Sequence, residues 1–224
     1  MSFWDQAVEI ARVDLQVERR IGDVLRIILP FAVVALLVFP LALGIDLAAI
    51  TRIGPAVFWV IGVLFGMQVA LRQAADDRPE RRDLYALLGV DPAARFVGRS
   101  MSGSLLMLGF LLALMVATLL LYSPRLPEGW PIPAAAAILL TSIGLTELGT
   151  LAGEVTAGLR NRTALASLIV APLAIPLVLG GAQTLESLAR DTGILPWLLL
   201  LFATDLALAV AGVGLARPIE EASR

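Results

Sequence analysis

Residues 100–124 read SMSGSLLMLGFLLALMVATLLLYSP, an uncharged, leucine-rich run. A helix needs ~20 mostly apolar residues to cross the hydrocarbon core of a bilayer, so this stretch is long enough to span. Comparable runs lie on both sides of it. Spans are expected over 27–45, 53–71, within 100–124, and at about 133–159, 163–185 and 194–216. Apolar residues make up 58% of the 224 and charged residues 16%, well below the roughly one quarter of a soluble domain. The expected fold class is therefore an all-α membrane protein with six transmembrane helices.

Residues 1–26 are expected to form an interfacial amphipathic helix, 27–216 the transmembrane domain and 217–224 a tail. Phe3, Ala7, Ile10, Val17, Ile21 and Val24 recur at helical spacing, flanked by Trp4, Val8, Ala11 and Leu15. Asp5, Glu9, Arg12, Glu18 and Arg19 occupy much of the remainder. That pattern suits a helix lying on the membrane surface; the alternative is a cytoplasmic helix packed on a partner. No cleavable signal peptide is expected, because this segment is charged and the apolar run begins only at Ile27. Pro30 and Pro40 interrupt the first span, and neighbouring helices must compensate for them. Pro172 and Pro176 lie in the fifth. Gly62-x-x-x-Gly66 and Gly149-x-x-x-Gly153 permit close helix approach, within the chain or across a dimer.

All 17 basic residues are arginine. With six spans and the N-terminus inside, Arg12, Arg19, Arg20, Arg26, Arg72, Arg78, Arg81, Arg82, Arg95, Arg99, Arg160, Arg162, Arg217 and Arg224 are cytoplasmic. Only Arg52, Arg125 and Arg190 fall outside. Basic residues concentrate on the cytoplasmic side of membrane proteins, so both termini are expected in the cytoplasm. Trp130 and Trp197 sit near outer helix ends, where amphipathic rings prefer to lie.

The chain has neither cysteine nor histidine. Histidine and cysteine metal sites, histidine haem ligation and histidine general-base chemistry are excluded within it. It has no lysine to complete a phosphate-binding loop, and no nucleophile elbow or zinc-protease signature. An enzyme is not expected, nor is a nucleic-acid partner or a tightly bound cofactor. Any energy source must be another subunit or an ion gradient.

Glu147, Glu154 and Asp205 are the costly residues, because an acid in a span usually faces a cavity or the bundle interior. Glu147 and Glu154, seven apart, lie on one helix face about 10 Å apart along the axis. With Thr150 between them and Asp205 in the last span they form a candidate polar pathway, proton relay or gate. The plainer reading is structural acids, with Glu154 paired to an arginine near the cytoplasmic end. Residues 72–99 form the one substantial polar segment. There a charged stretch from Asp76 to Asp83 precedes apolar Leu84, Leu87 and Leu88, which suits either docking on a cytoplasmic protein or an ordinary solvated loop.

The order of features then resembles a known family. Phe39-Pro-Leu-Ala-Leu-Gly44 closes the first span, and Arg52-Ile-Gly-Pro55 leads through Phe58-Trp59-Val60 into the second. Asp76-Asp77 opens the polar segment, Asp83-Leu-Tyr-Ala-Leu-Leu88 follows, and Ala171-Pro-Leu-Ala-Ile-Pro-Leu177 lies in the fifth span. The chain resembles the CcmB family, the membrane subunit of the haem exporter in cytochrome c maturation, over nearly its whole length. The resemblance implies an ABC-2-type permease of the bacterial inner membrane, driven by a separate cytoplasmic ABC ATPase and working with a haem-handling membrane subunit. It implies a homodimer, with haem as cargo rather than cofactor. The 72–99 segment would be the coupling region, with Asp83, Leu84, Tyr85, Leu87 and Leu88 facing the ATPase. Tyr85, Gly89 and Arg99 depart from residues common in the family, and Glu147 and Glu154 are not features of it. Two other readings fit the residues: a generic ABC-2 exporter of lipid, glycan or drug, and an ion-coupled transporter using Glu147, Glu154 and Asp205.

Overall fold

The computed structural model of the chain describes residues 2–22, 24–42, 44, 47–75, 79–124, 126–156, 161–190 and 192–222. Among these the regular structure is entirely helical. Helix α1 spans Phe3–Ile21. A π-helical turn at Val24–Ile28 leads into α2, Leu29–Ala42. Then follow α3 (Leu47–Ala75), α4 (Pro79–Leu87), α5 (Pro92–Tyr122), α6 (Pro131–Val155), α7 (Arg162–Leu173), α8 (Ile175–Ala189) and α9 (Leu195–Ala222). Six stretches are long and apolar enough to cross a membrane: Val24–Ala42, Ala49–Arg72, Pro92–Tyr122, Pro131–Val155, Ala164–Leu188 and Leu195–Pro218. The chain is a multi-pass α-helical membrane protein.

Helix α6 is the axis of the bundle. It touches α3, α5, α7, α8 and α9, and its second half, from Gly144 to Glu154, is buried without interruption. Small residues let neighbours come close. A Cβ on Gly149 would lie 2.6 Å from the carbonyl oxygen of Ala70, so only glycine admits α3 at that crossing. Lipid-facing side chains such as Leu120, Leu168 and Val210 stay exposed, as expected where the solvent is hydrocarbon.

The prolines shape the spans through the donors they lack. Pro40 cannot donate to the carbonyl of Leu36, and the hydroxyl of Tyr122 on α5 donates to that oxygen at 2.7 Å. A buried carbonyl left bare in a membrane would cost several kcal/mol, so this contact satisfies the oxygen that Pro40 leaves free and ties α2 to α5. In the fifth span Pro176 withholds the bond to Pro172, and the helix divides at Ala174 into α7 and α8.

Helix α1 does not merely lie alongside the bundle. Ala7, Ile10 and Ala11 are buried, and Gly98 of α5 receives the α1 backbone so closely that a Cβ there would stand 2.5 Å from the oxygen of Ala7. On either flank of that buried stripe, Trp4 and Val8 on one side and Val13 and Val17 on the other remain exposed. The apolar surface legible in the sequence thus divides between packing on α5 and two exposed flanks.

Candidate functional site

Two constellations were expected, one within the bundle and one on the polar segment. The first is assembled around α6. Glu147, Glu154 and Asp205 are 8%, 1% and 6% exposed, and each has a different neighbourhood. Glu154 Oε1 lies 3.7 Å from Arg95 Nη2 on α5, both side chains almost completely enclosed. Arg99, one turn further along α5, is buried as well. Thr150 turns its hydroxyl onto its own helix, donating to the carbonyl of Thr146 at 2.9 Å.

Asp205 comes across from α9 and rests against Gly144, where any side chain would take the space its carboxyl fills. Gly144 is one turn from Glu147 on α6, so Asp205 rests about one turn along that helix from the glutamate. Glu147 also lines a cavity of about 400 Å³ between α5, α6 and α9, with Ser100, Ser104, Leu105, Leu108 and Val213 on its walls. Glu147 Oε2, both Asp205 oxygens and Ser100 Oγ have no hydrogen-bond partner among the described residues. The structure therefore buries Glu147 and Asp205 about one turn of α6 apart, pairs Glu154 with Arg95, and leaves the Thr150 hydroxyl bound within its helix. Among the described residues, no group of three acid side chains is placed to hold a metal ion.

The second constellation centres on α4. Leu84, Leu87 and Leu88 are 53%, 86% and 68% exposed, a run of apolar side chains that nothing among the described residues covers. Tyr85 is half-buried, and its hydroxyl accepts from Arg81 Nη2 at 2.9 Å. Arg81 also pairs with Asp14 of α1. The side chain of Asp83 and residues 76–78, the pair Asp76–Asp77 among them, lie outside the described residues. The polar segment is not one loop. Its first residues finish α3, and its last eight, from Pro92, belong to α5.

Helix α5 starts there because Asp91 caps it, accepting from the backbone of Ala93 at 2.9 Å, with Pro92 in the first turn. This is the favoured start of a helix. Asp91 is also a junction. Its backbone N–H donates to Gln6 Oε1 of α1 at 2.9 Å, and its carboxylate accepts from Arg217 Nη2 of α9 at 2.6 Å. The Arg217 hydrogen bond holds the Asp91 carboxyl below the usual carboxylate range. Helices α1, α4, α5 and α9 are thus linked at one end of the bundle by Arg81–Asp14, Gln6–Asp91 and Asp91–Arg217. Sequence reasoning missed these links and the burial of Arg95 and Arg99. The one local signal was Asp91-Pro92, a cap followed by a first-turn proline.

A family model described as "CcmB protein" matches residues 5–220. The chain is 30% identical over 198 residues to heme exporter protein B of Paracoccus denitrificans, covering 87% of this chain and 88% of that protein. It is 28% identical over 182 residues to heme exporter protein B of Haemophilus influenzae, covering 80% and 81%.

Proposed function

The chain belongs to the CcmB family, and on that premise we propose that it is the membrane permease subunit of an ABC-type complex for cytochrome c maturation. The complex exports haem, or releases a haem-loaded chaperone, and a separate cytoplasmic ATPase drives it. This chain is a transport subunit and not an enzyme. It sits in the bacterial inner membrane with both termini in the cytoplasm, where the positive-inside rule puts its arginine-rich ends. Its partners are the ATPase, a haem-handling membrane subunit and a second permease protomer. Without histidine, the chain has no imidazole to ligate haem, so haem is cargo here.

The observation that carries the mechanism is the exposed leucine run of Leu84, Leu87 and Leu88, in α4 and just after it. Exposed contiguous apolar surface marks a contact site, and this one lies on the polar segment, away from the spans. Closure of the ATPase pushes α4; Arg81–Asp14 passes the load to α1, the Ala7–Gly98 contact to α5, and Asp91–Arg217 to α9. The spans then tilt against one another as rigid bodies. A strain lacking this gene, complemented with wild type or with Leu84→Asp plus Leu88→Asp, tests the reading through haem-stained c-type cytochromes. Wild type restores them and the double variant does not; undiminished maturation with the variant sinks the coupling mechanism.

The burial of two acids, Glu147 and Asp205, within the bundle favours one other reading, an ion-coupled transporter. Transport that persists without any ATPase and is lost in Glu147→Gln would select it.

A further inference from the structure

The outer arginines stand out because topology works against them: three of 17 fall on that side, and two converge. Arg52, near the start of α3, and Arg190, which ends α8, line one cavity of about 590 Å³. Pro55, Trp59, Gln183 and Glu186 line it too, with apolar wall from Leu126 and Ala182. Arg125, the third outer arginine, lies outside the described residues. Arg52, Pro55 and Trp59 also belong to the sequence stretch that carries much of the family resemblance, and neither α4 nor the buried acids account for them.

The chemistry of this cavity is specific. Trp59 is 3% exposed, and its indole Nε1 has no hydrogen-bond partner among the described residues. A buried indole N–H ordinarily finds an acceptor. Its ring is seated against Gly181, where a Cβ would come within 2.6 Å of it, so the orientation is fixed by packing. Arg190 shares Glu186 at 2.6 Å, which leaves two guanidiniums against one carboxylate in the lining. Donors therefore outnumber acidic acceptors: two planar forks suited to carboxylate or phosphate, and one buried N–H. The volume falls within the few hundred to about 1,000 Å³ typical of small-molecule sites.

We propose that this outer cavity binds the acidic group of an amphiphile, a carboxylate or a phosphate, with Arg52 and Arg190 as its cations and the Trp59 indole N–H as a further donor. The apolar body lies along Pro55, Leu126 and Ala182. Two sources carry that chemistry, the headgroup of an acidic phospholipid and the propionates of a porphyrin cargo. The porphyrin source rests on the proposed function; the acid-binding site does not.

The test uses the full chain in phosphatidylcholine nanodiscs. Protoporphyrin IX is titrated by fluorescence, its dimethyl ester serves as the uncharged control, and empty nanodiscs give the partitioning background. In parallel, native mass spectrometry counts phosphatidylglycerol retained from mixed nanodiscs. Arg52→Gln plus Arg190→Gln should weaken one of the acidic probes by about tenfold, the scale of a lost charge-assisted hydrogen bond, and leave the ester unchanged. Trp59→Phe should weaken the same probe by a few-fold. Circular dichroism and a single elution peak identify the folded variants; if the double variant fails these, Arg52→Gln alone is compared. Loss confined to the porphyrin assigns the site to cargo. Loss confined to the lipid assigns it to a headgroup and removes the porphyrin source, while the proposed function is still judged by complementation. Equal binding of both acidic probes by wild type and folded variants overturns the site.

Discussion

Removing Glu154 is the sharpest test of the packing at the α5–α6 seam. Its carboxylate is 1% exposed and lies 3.7 Å from the Arg95 guanidinium. Glu154→Leu keeps the volume roughly constant and takes away a counter-charge from an arginine whose side chain is 4% exposed. Breaking one half of a buried pair costs ~3–5 kcal/mol, whereas replacing both halves with apolar groups is often neutral or stabilising. Glu154→Leu should therefore lower stability by about that amount, a melting shift on the order of 6–20 °C for a chain of this size. Arg95→Met combined with Glu154→Leu should recover most of the loss. Reversible unfolding in mixed micelles, followed by circular dichroism across the double-mutant cycle, measures both quantities. A single-variant cost below about 1 kcal/mol would refute the reasoning. So would a double variant as unstable as the sum of the singles, because the two residues would then act independently.

Two further predictions concern contacts at the helix ends. Tyr122→Phe strands the Leu36 carbonyl that Pro40 leaves free, and should destabilise the bundle by about 1–3 kcal/mol in the same unfolding assay, with no such effect from Tyr85→Phe. The Asp91–Arg217 link should be pH-dependent. The folded carboxyl titrates below its ordinary value, so the link's stabilisation is present above the unfolded carboxylate pKa and is lost as pH falls through the folded one. The melting difference between wild type and Arg217→Gln should be flat above about pH 5 and shrink below about pH 4; a difference independent of pH from 3 to 7 would rule out the ion pair as its source.

The spans were legible because a membrane demands ~20 uncharged residues in a row, and little else in a sequence looks like that. Their ends were less so. The third span was expected from Ser100, yet α5 begins at Pro92. Arg95 and Arg99 look like loop charges to hydropathy, which cannot know that Glu154 waits on the facing helix. The pairing of Glu154 with an arginine was foreseeable from its place near an end expected to be cytoplasmic, but which arginine was not. Spacing put Glu147, Thr150 and Glu154 on one stripe. Spacing could not reveal that Asp205, some 60 residues on, would fill the hollow at Gly144. That depends on the crossing of α6 with α9, which is a tertiary fact. The leucines of α4 were readable as an apolar run. The arginine–aspartate links that tie α4 and α9 into the same end join residues 67 and 126 positions apart, a separation at which local pattern carries no information. The cavity lined by Arg52 and Arg190 was half legible: the arginine asymmetry was visible, the convergence of those two residues was not.

The central claim is that this subunit is worked by a separate ATPase through α4. The measurement that tests it most directly is a mild-detergent pull-down of the tagged chain from its native host, wild type beside Leu84→Asp plus Leu88→Asp, with partners identified by mass spectrometry. Wild type should bring down an ABC ATPase together with a haem-handling membrane protein, and the variant should keep the membrane partner while losing the ATPase. Recovery of no ATPase with an intact wild-type preparation, or equal recovery with the variant, would contradict the account.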